Sequence, residues 1–100
     1  MTVFVVAMVT FTDEARYRAY QARLPEVFHG CGGKILAADD TPIRLEGDTS
    51  PDKIVLMQFD DAEQASALLL SEEYQKISRD REAGSITVAH AIHGLEEPIT

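Results

Sequence analysis

One hundred residues with 45% hydrophobic and 26% charged side chains fit one soluble globular domain and exclude a disordered or fibrous chain. Nine Lys and Arg against 17 Asp and Glu leave a net charge of −8, a surface that repels phosphate backbones and makes nucleic acid a poor partner. The longest apolar run, Val3 to Val9, is too short for a membrane span and lacks the flanks of a signal peptide, and a single cysteine forms no internal disulfide, all of which fits a cytoplasmic protein.

Val3 to Val9 is apolar on both parities, the pattern of a strand covered on both faces. Thr12 and Asp13 then offer N-cap oxygens. Tyr17, Tyr20, Leu24, Val27, Phe28 and Cys31 follow at spacings of three and four, one apolar helix face. Pro25 inside that pattern removes a donor and predicts a kink or a new turn, and Gly32-Gly33 predicts the helix end. Lys34 to Ala38 and Ile43 to Glu46 read as one interrupted strand or as a short hairpin, placed at a sheet edge because Pro42 cannot donate to a ladder. Gly47 to Asp52 is a loop by its residue chemistry, and Lys53 to Phe59 is a nearly all-apolar strand. Asp60 with Glu63 predicts a capping box, opening a helix whose inward face is Ala62, Ala65, Leu68 and Leu69. Ser71 opens a second helical piece with Tyr74 and Ile77 inward, and Gly84 stops it. Ser85 to His93 alternates as the last strand, with Ile86, Val88, His90 and Ile92 on one side and Thr87, Ala89, Ala91 and His93 on the other. Residues 1–95 make one domain, and 96–100 a short acidic tail.

The order β-α-β-β-α-β is the split pattern of an α+β ferredoxin-like sandwich, in which right-handed crossovers place the helices on one face of an antiparallel four-stranded sheet. No helix remains for the other face, yet Val3 to Val9 and Lys53 to Phe59 are apolar on both parities. The pattern therefore predicts a homodimer in which a second copy packs against the open sheet face.

The run Asp13…Tyr17…Tyr20, Gly32-Gly33-Lys34, Leu45-Glu46-Gly47-Asp48, Gln58-Phe59 and Ser71-Glu72-Glu73-Tyr74-Gln75…Arg81 resembles the family of domain of unknown function 1330, from about Thr2 to Gly94. Its most specific pieces are Glu46-Gly47-Asp48 and Ser71-x-x-Tyr74 followed seven residues later by Arg81. The resemblance implies the dimeric α/β-barrel superfamily, whose members include cofactor-independent monooxygenases of aromatic polyketides, muconolactone isomerases and haem-degrading enzymes. It implies fold and dimer and, for an enzyme, an oxygenase or isomerase without a cofactor; it supplies no reaction. The chain departs from the family's pattern at Ala38, where many members place an arginine, and at Glu72, where many place a proline. The first departure removes a candidate anion-binding group.

His90 and His93, three apart on a strand, point to opposite faces and cannot chelate one ion, so no metal site is predicted. His90 is the candidate general base, an imidazole on a mostly apolar sheet face; its bland reading is a hydrogen-bonded histidine in a packed sheet. Cys31 and His29 diverge by about half a helical turn and make no nucleophile–base pair. Gly-x-Ser-x-Gly, a glycine-rich phosphate loop and CxxC are all absent. The acidic doublets Asp39-Asp40, Asp60-Asp61, Glu72-Glu73 and Glu96-Glu97 read as capping or solvated groups. Tyr20, Tyr74, Arg81 and Glu46 are the candidate binding residues, with Tyr74 and Arg81 on one helix face. Either Arg81 pairs with an acid such as Glu46 and ties its helix to the edge strand, or the phenols and the guanidinium line a cleft between helices and sheet, where they orient a small polar-aromatic or carboxylate ligand. Two functions are open: the oxygenase or isomerase that the resemblance implies, with His90 as base, and a non-catalytic ligand-binding or structural dimer.

Overall fold

The computed structural model describes residues 1–100. The chain runs β1 (Val3–Phe11), α1 (Glu14–Phe28), β2 (Lys34–Asp39), β3 (Lys53–Phe59), α2 (Ala62–Leu69), α3 (Glu72–Gly84) and β4 (Ser85–His93). All pairings are antiparallel in the order β2-β3-β1-β4, the ferredoxin-like arrangement expected from the strand and helix order. Alternation sets which residues meet the helices. Val3, Val5 and Val9 of β1 and Val55, Met57 and Phe59 of β3 are buried beneath them, against Tyr17, Tyr20, Leu24 and Phe28 of α1 and Leu68, Tyr74 and Ile77 from α2 and α3. Burying each such large side chain contributes roughly 1.5–3 kcal/mol, so this one layer is the main source of stability.

The helix boundaries differ from the sequence expectation in detail. Asp13 caps α1, its side chain accepting from the Arg16 N–H at 3.3 Å. The helix continues through Pro25, which lies near its end, and stops at Phe28. Gly30, at φ 77°, takes the left-handed position after the His29 cap, so the stop comes before Gly32-Gly33. The cap of α2 is Asp61, one residue later than Asp60. Its carboxylate accepts from the Gln64 N–H at 2.8 Å, while the Gln64 side-chain oxygen accepts from the Asp60 N–H at 2.7 Å. Gln64 thus performs the reciprocal part expected of Glu63. Ser71 caps α3 as expected, accepting from the Tyr74 N–H. At the other end of α3, the Gly84 carbonyl accepts from Thr12 N–H at 2.9 Å and Asp13 N–H at 3.0 Å. A Cβ there would fall 2.5 Å from the Tyr17 nitrogen, so the close approach of α3 to the start of α1 requires glycine.

Ile43 to Glu46 forms no strand; residues 40–52 are an irregular arm between β2 and β3, on which Ile43 and Leu45 are 85% and 93% exposed. β2 is the edge strand that Pro42 predicted, and it carries a bulge between Ile35 and Ala37. Both ends of the arm are pinned. The Asp40 carboxylate accepts from Lys53 Nζ at 2.9 Å and from Arg18 at 3.2 Å, and the Asp52 carboxylate accepts from the Phe11 N–H at 2.8 Å. Asp40 is therefore an ion-pair partner of the buried Lys53, and the ammonium, with Arg18 beside it, holds its carboxyl below the usual carboxylate range.

The opposite sheet face carries no helix. Phe4, Val6 and Met8 of β1 stand there beside Ile92, His90 and Val88 of β4, with Ile54 and Leu56 of β3 on the other flank. Ile86, Val88 and Ile92 are each about half exposed or more. No helix of the structure is long and apolar enough to cross a membrane.

Candidate functional site: a tyrosine-walled cleft

Between the covered sheet face and the helices lies a cavity of about 260 Å³. Its floor is Val5, Ala7 and Val9 of β1, Val55 and Met57 of β3, and Thr87 and Ala89 of β4. Ala89 pairs across the sheet with Ala7, and two alanines side by side leave the space that larger residues would fill. The roof is Tyr17, Tyr20 and Leu24 from α1, Leu69 from α2, and Tyr74, Gln75 and Arg81 from α3.

Helical spacing explains the roof. Tyr17, Tyr20 and Leu24 recur on the inward stripe of α1, and Tyr74 and Arg81, two turns apart, share the stripe of α3 that meets it. The aromatic rings form a row. Phe11 lies 5.2 Å from Tyr17, Tyr17 lies 5.4 Å from Tyr20, and Tyr20 meets Tyr74 edge-on at 6.1 Å. The Tyr20 and Tyr74 hydroxyls are hydrogen-bonded to each other at 2.9 Å. Burial foremost, then the neighbouring Tyr74, pushes the Tyr17 phenol up to about 12 and raises Tyr20 well above the ordinary tyrosine value. Both are therefore neutral hydroxyls in the cleft near neutral pH, groups that donate and accept hydrogen bonds.

Arg81 reaches the same space, its guanidinium carbon 6.0 Å from the centre of the Tyr20 ring. Its only acidic contact is Glu82, at 3.7 Å from a terminal nitrogen, and its Nε is buried without a hydrogen-bond partner. A buried donor left unpaired costs on the order of 1–3 kcal/mol, so this atom is a local liability.

The structure thus brings Tyr20, Tyr74 and Arg81 together and separates the other two candidates from them. Glu46 lies on the exposed arm, in a groove with Met8 and Ile54, and makes no pair with Arg81. His90 pairs with Val6 and stands on the open sheet face, across the sheet from the cleft. Strand parity is the reason: the cleft side of β4 belongs to Thr87 and Ala89. Tyr17, Gln75, Thr87 and Ala89 join the lining without having been singled out. For Thr87 and Ala89 the signal lay in β4, where Thr87, Ala89 and Ala91 share one parity and Ile86, Val88 and Ile92 the other. No group of three or more His, Cys, Asp or Glu side chains is placed to hold a metal ion.

A family model described as domain of unknown function (DUF1330) matches residues 2–95. Among curated proteins, no sequence matches the chain. Solved structures share the fold. A protein of unknown function from Rhodopseudomonas palustris superposes with a TM-score of 0.81 at 16% identity, covering 96% of this chain and 84% of that one. A dimeric ferredoxin-like protein of unknown function from Jannaschia sp. CCS1 gives 0.75 at 12% identity, over 94% of this chain and 100% of that one. SnoaB, a cofactor-independent oxygenase from Streptomyces nogalater, gives 0.70 at 16% identity, over 96% of this chain and 95% of that one.

Proposed function

This chain belongs to the family of domain of unknown function 1330, and from that premise we propose that it binds a small, mostly apolar molecule in the cleft between its sheet and helices. One observation carries the proposal: all three tyrosines of the chain line a single cavity whose remaining walls are largely apolar. Protein interiors of this size ordinarily close over voids larger than a water molecule. Apolar walls with a few placed polar groups are the usual make-up of a ligand site, and about 260 Å³ lies just below the range typical of drug-sized ligands, which suits a metabolite of one or two rings.

The catalytic form of this proposal, a cofactor-independent oxygenase or isomerase, draws its support from the fold shared with SnoaB. It requires a proton acceptor, and the ionisable side chains in the walls are three tyrosines and one arginine, with no imidazole or carboxylate. The binding form requires only the cavity and is the reading adopted. We further propose that a second copy covers the open sheet face. Support comes from the half-exposed Ile86, Val88 and Ile92 on that face and from the dimeric ferredoxin-like relative.

The chain has no tryptophan, so its intrinsic emission comes from the three cleft tyrosines alone. Titration with cyclohexanol, which does not absorb at the exciting wavelength, is expected to change that emission saturably. A response that stays linear in concentration overturns the cleft as a binding site. A native mass near twice 11.0 kDa is expected for the assembly.

A further inference from the structure

We propose that the cleft is read by charge: its ligand is a small monoanion, an alicyclic or aromatic carboxylate, one of whose oxygens pairs with the Arg81 guanidinium. The inference rests on the cleft being a ligand site and adds the class of molecule that occupies it.

Arg81 is the only cation in the lining, and its Nε makes no hydrogen bond within the protein. Glu82 does not satisfy it, since that carboxylate stands off at 3.7 Å from a terminal nitrogen and is itself mostly exposed. Every other polar group in the lining is neutral: three phenols, the Gln75 amide and the Thr87 hydroxyl. No carboxylate lines the cavity, although the chain as a whole carries −8. The cleft is thus a positive spot inside a negative protein. A single guanidinium balances a single negative charge, while the surrounding field disfavours a second, which selects a monoanion over a dianion.

The tyrosine pair supplies a further donor. Of the two hydroxyl protons on Tyr20 and Tyr74, their mutual bond at 2.9 Å uses one and leaves the other free. A carboxylate has two oxygens, one for the guanidinium and one for that hydroxyl. The body of the ligand rests on Val5, Ala7 and Ala89, an apolar floor that offers nothing to a second polar end. Occupation gives the guanidinium a close carboxylate partner in place of the distant contact with Glu82.

The experiment compares cyclohexanecarboxylate with cyclohexanecarboxamide, two probes of one shape that differ in charge, by tyrosine emission and calorimetry at pH 7. The carboxylate is expected to bind at least tenfold more tightly than the amide. In Arg81→Met that preference disappears, and Arg81→Lys, which keeps the charge without the planar fork of donors, recovers only part of it. Equal affinity of the two probes in the unaltered protein overturns the proposal without involving any variant. A preference that survives in Arg81→Met overturns Arg81 as its source. Failure of both probes to bind is a separate result, because it removes the cleft as a site together with anything said of its ligand.

Discussion

The two faces of β4 divide their residues against the usual order of a monomer. On the side that faces the helices the strand carries Ser85, Thr87, Ala89, Ala91 and His93, small up to Ala91 and buried only at Ser85, and on the other side Ile86, Val88, His90 and Ile92, which are large. A domain that works alone puts its bulk inward and its small or polar residues outward. Here the inward side has space left over and the outward side has apolar surface left over. The space on one side is what the proposed ligand would fill, and the apolar surface on the other is what the proposed second copy would cover.

Neighbouring residues on one strand separate these roles. Val88→Asp places a carboxylate on the open face of each copy, and an unpaired charge buried in an apolar interface costs several kcal/mol. It is expected to leave a folded monomer at micromolar concentration, measured by light scattering; a dimer that persists shows that the second copy sits elsewhere. The next effect comes from the inward tyrosines. Tyr17 is pushed up to about 12, so the folded state holds its proton more firmly than the unfolded chain does. Stability is then intact below about pH 10, where the unfolded tyrosines titrate, and falls as the pH climbs towards the folded value. Melting temperatures across that range are expected to decline, with a shallower decline in Tyr20→Phe, which at neutral pH loses about 1 kcal/mol with its bond to Tyr74. The smallest change is Ala89→Leu. Added bulk normally costs about 1–3 kcal/mol in a filled core, but this side chain enters open space, so the melting temperature is expected to stay within a few degrees. The same variant abolishes the tyrosine response to cyclohexanol, which separates room for a ligand from stability.

Much of this arrangement is legible in the residues. The strands follow from runs such as Val3 to Val9 because side-chain parity is rigid in an extended chain. The inward stripe of α1 follows from Tyr17, Tyr20 and Leu24 for the same reason at helical spacing. Parity also places His90 with Ile86, Val88 and Ile92, and what parity withholds is which side of the sheet that set occupies. The partner of Arg81 was illegible because it depends on where an irregular arm travels: Glu46 goes with the arm, away from the cleft. Lys53 shows the same limit. It heads an apolar strand, and it is buried because Asp40 comes back to meet it. Contacts that close over many residues leave no local pattern to read.

The ion pair between Asp40 and Lys53 has an evolutionary consequence. With Asp52 fastened to Phe11 as well, the arm is a ring closed at its base, and the register of β2 on β3 is set below that closure. Lengthening the tip around Gly47-Asp48 therefore leaves the sheet undisturbed, and doubling the span of such a loop costs only about 0.6 kcal/mol in chain entropy. Descendants of this sequence are free to acquire new recognition elements there, on a loop that the cleft and its tyrosines never touch.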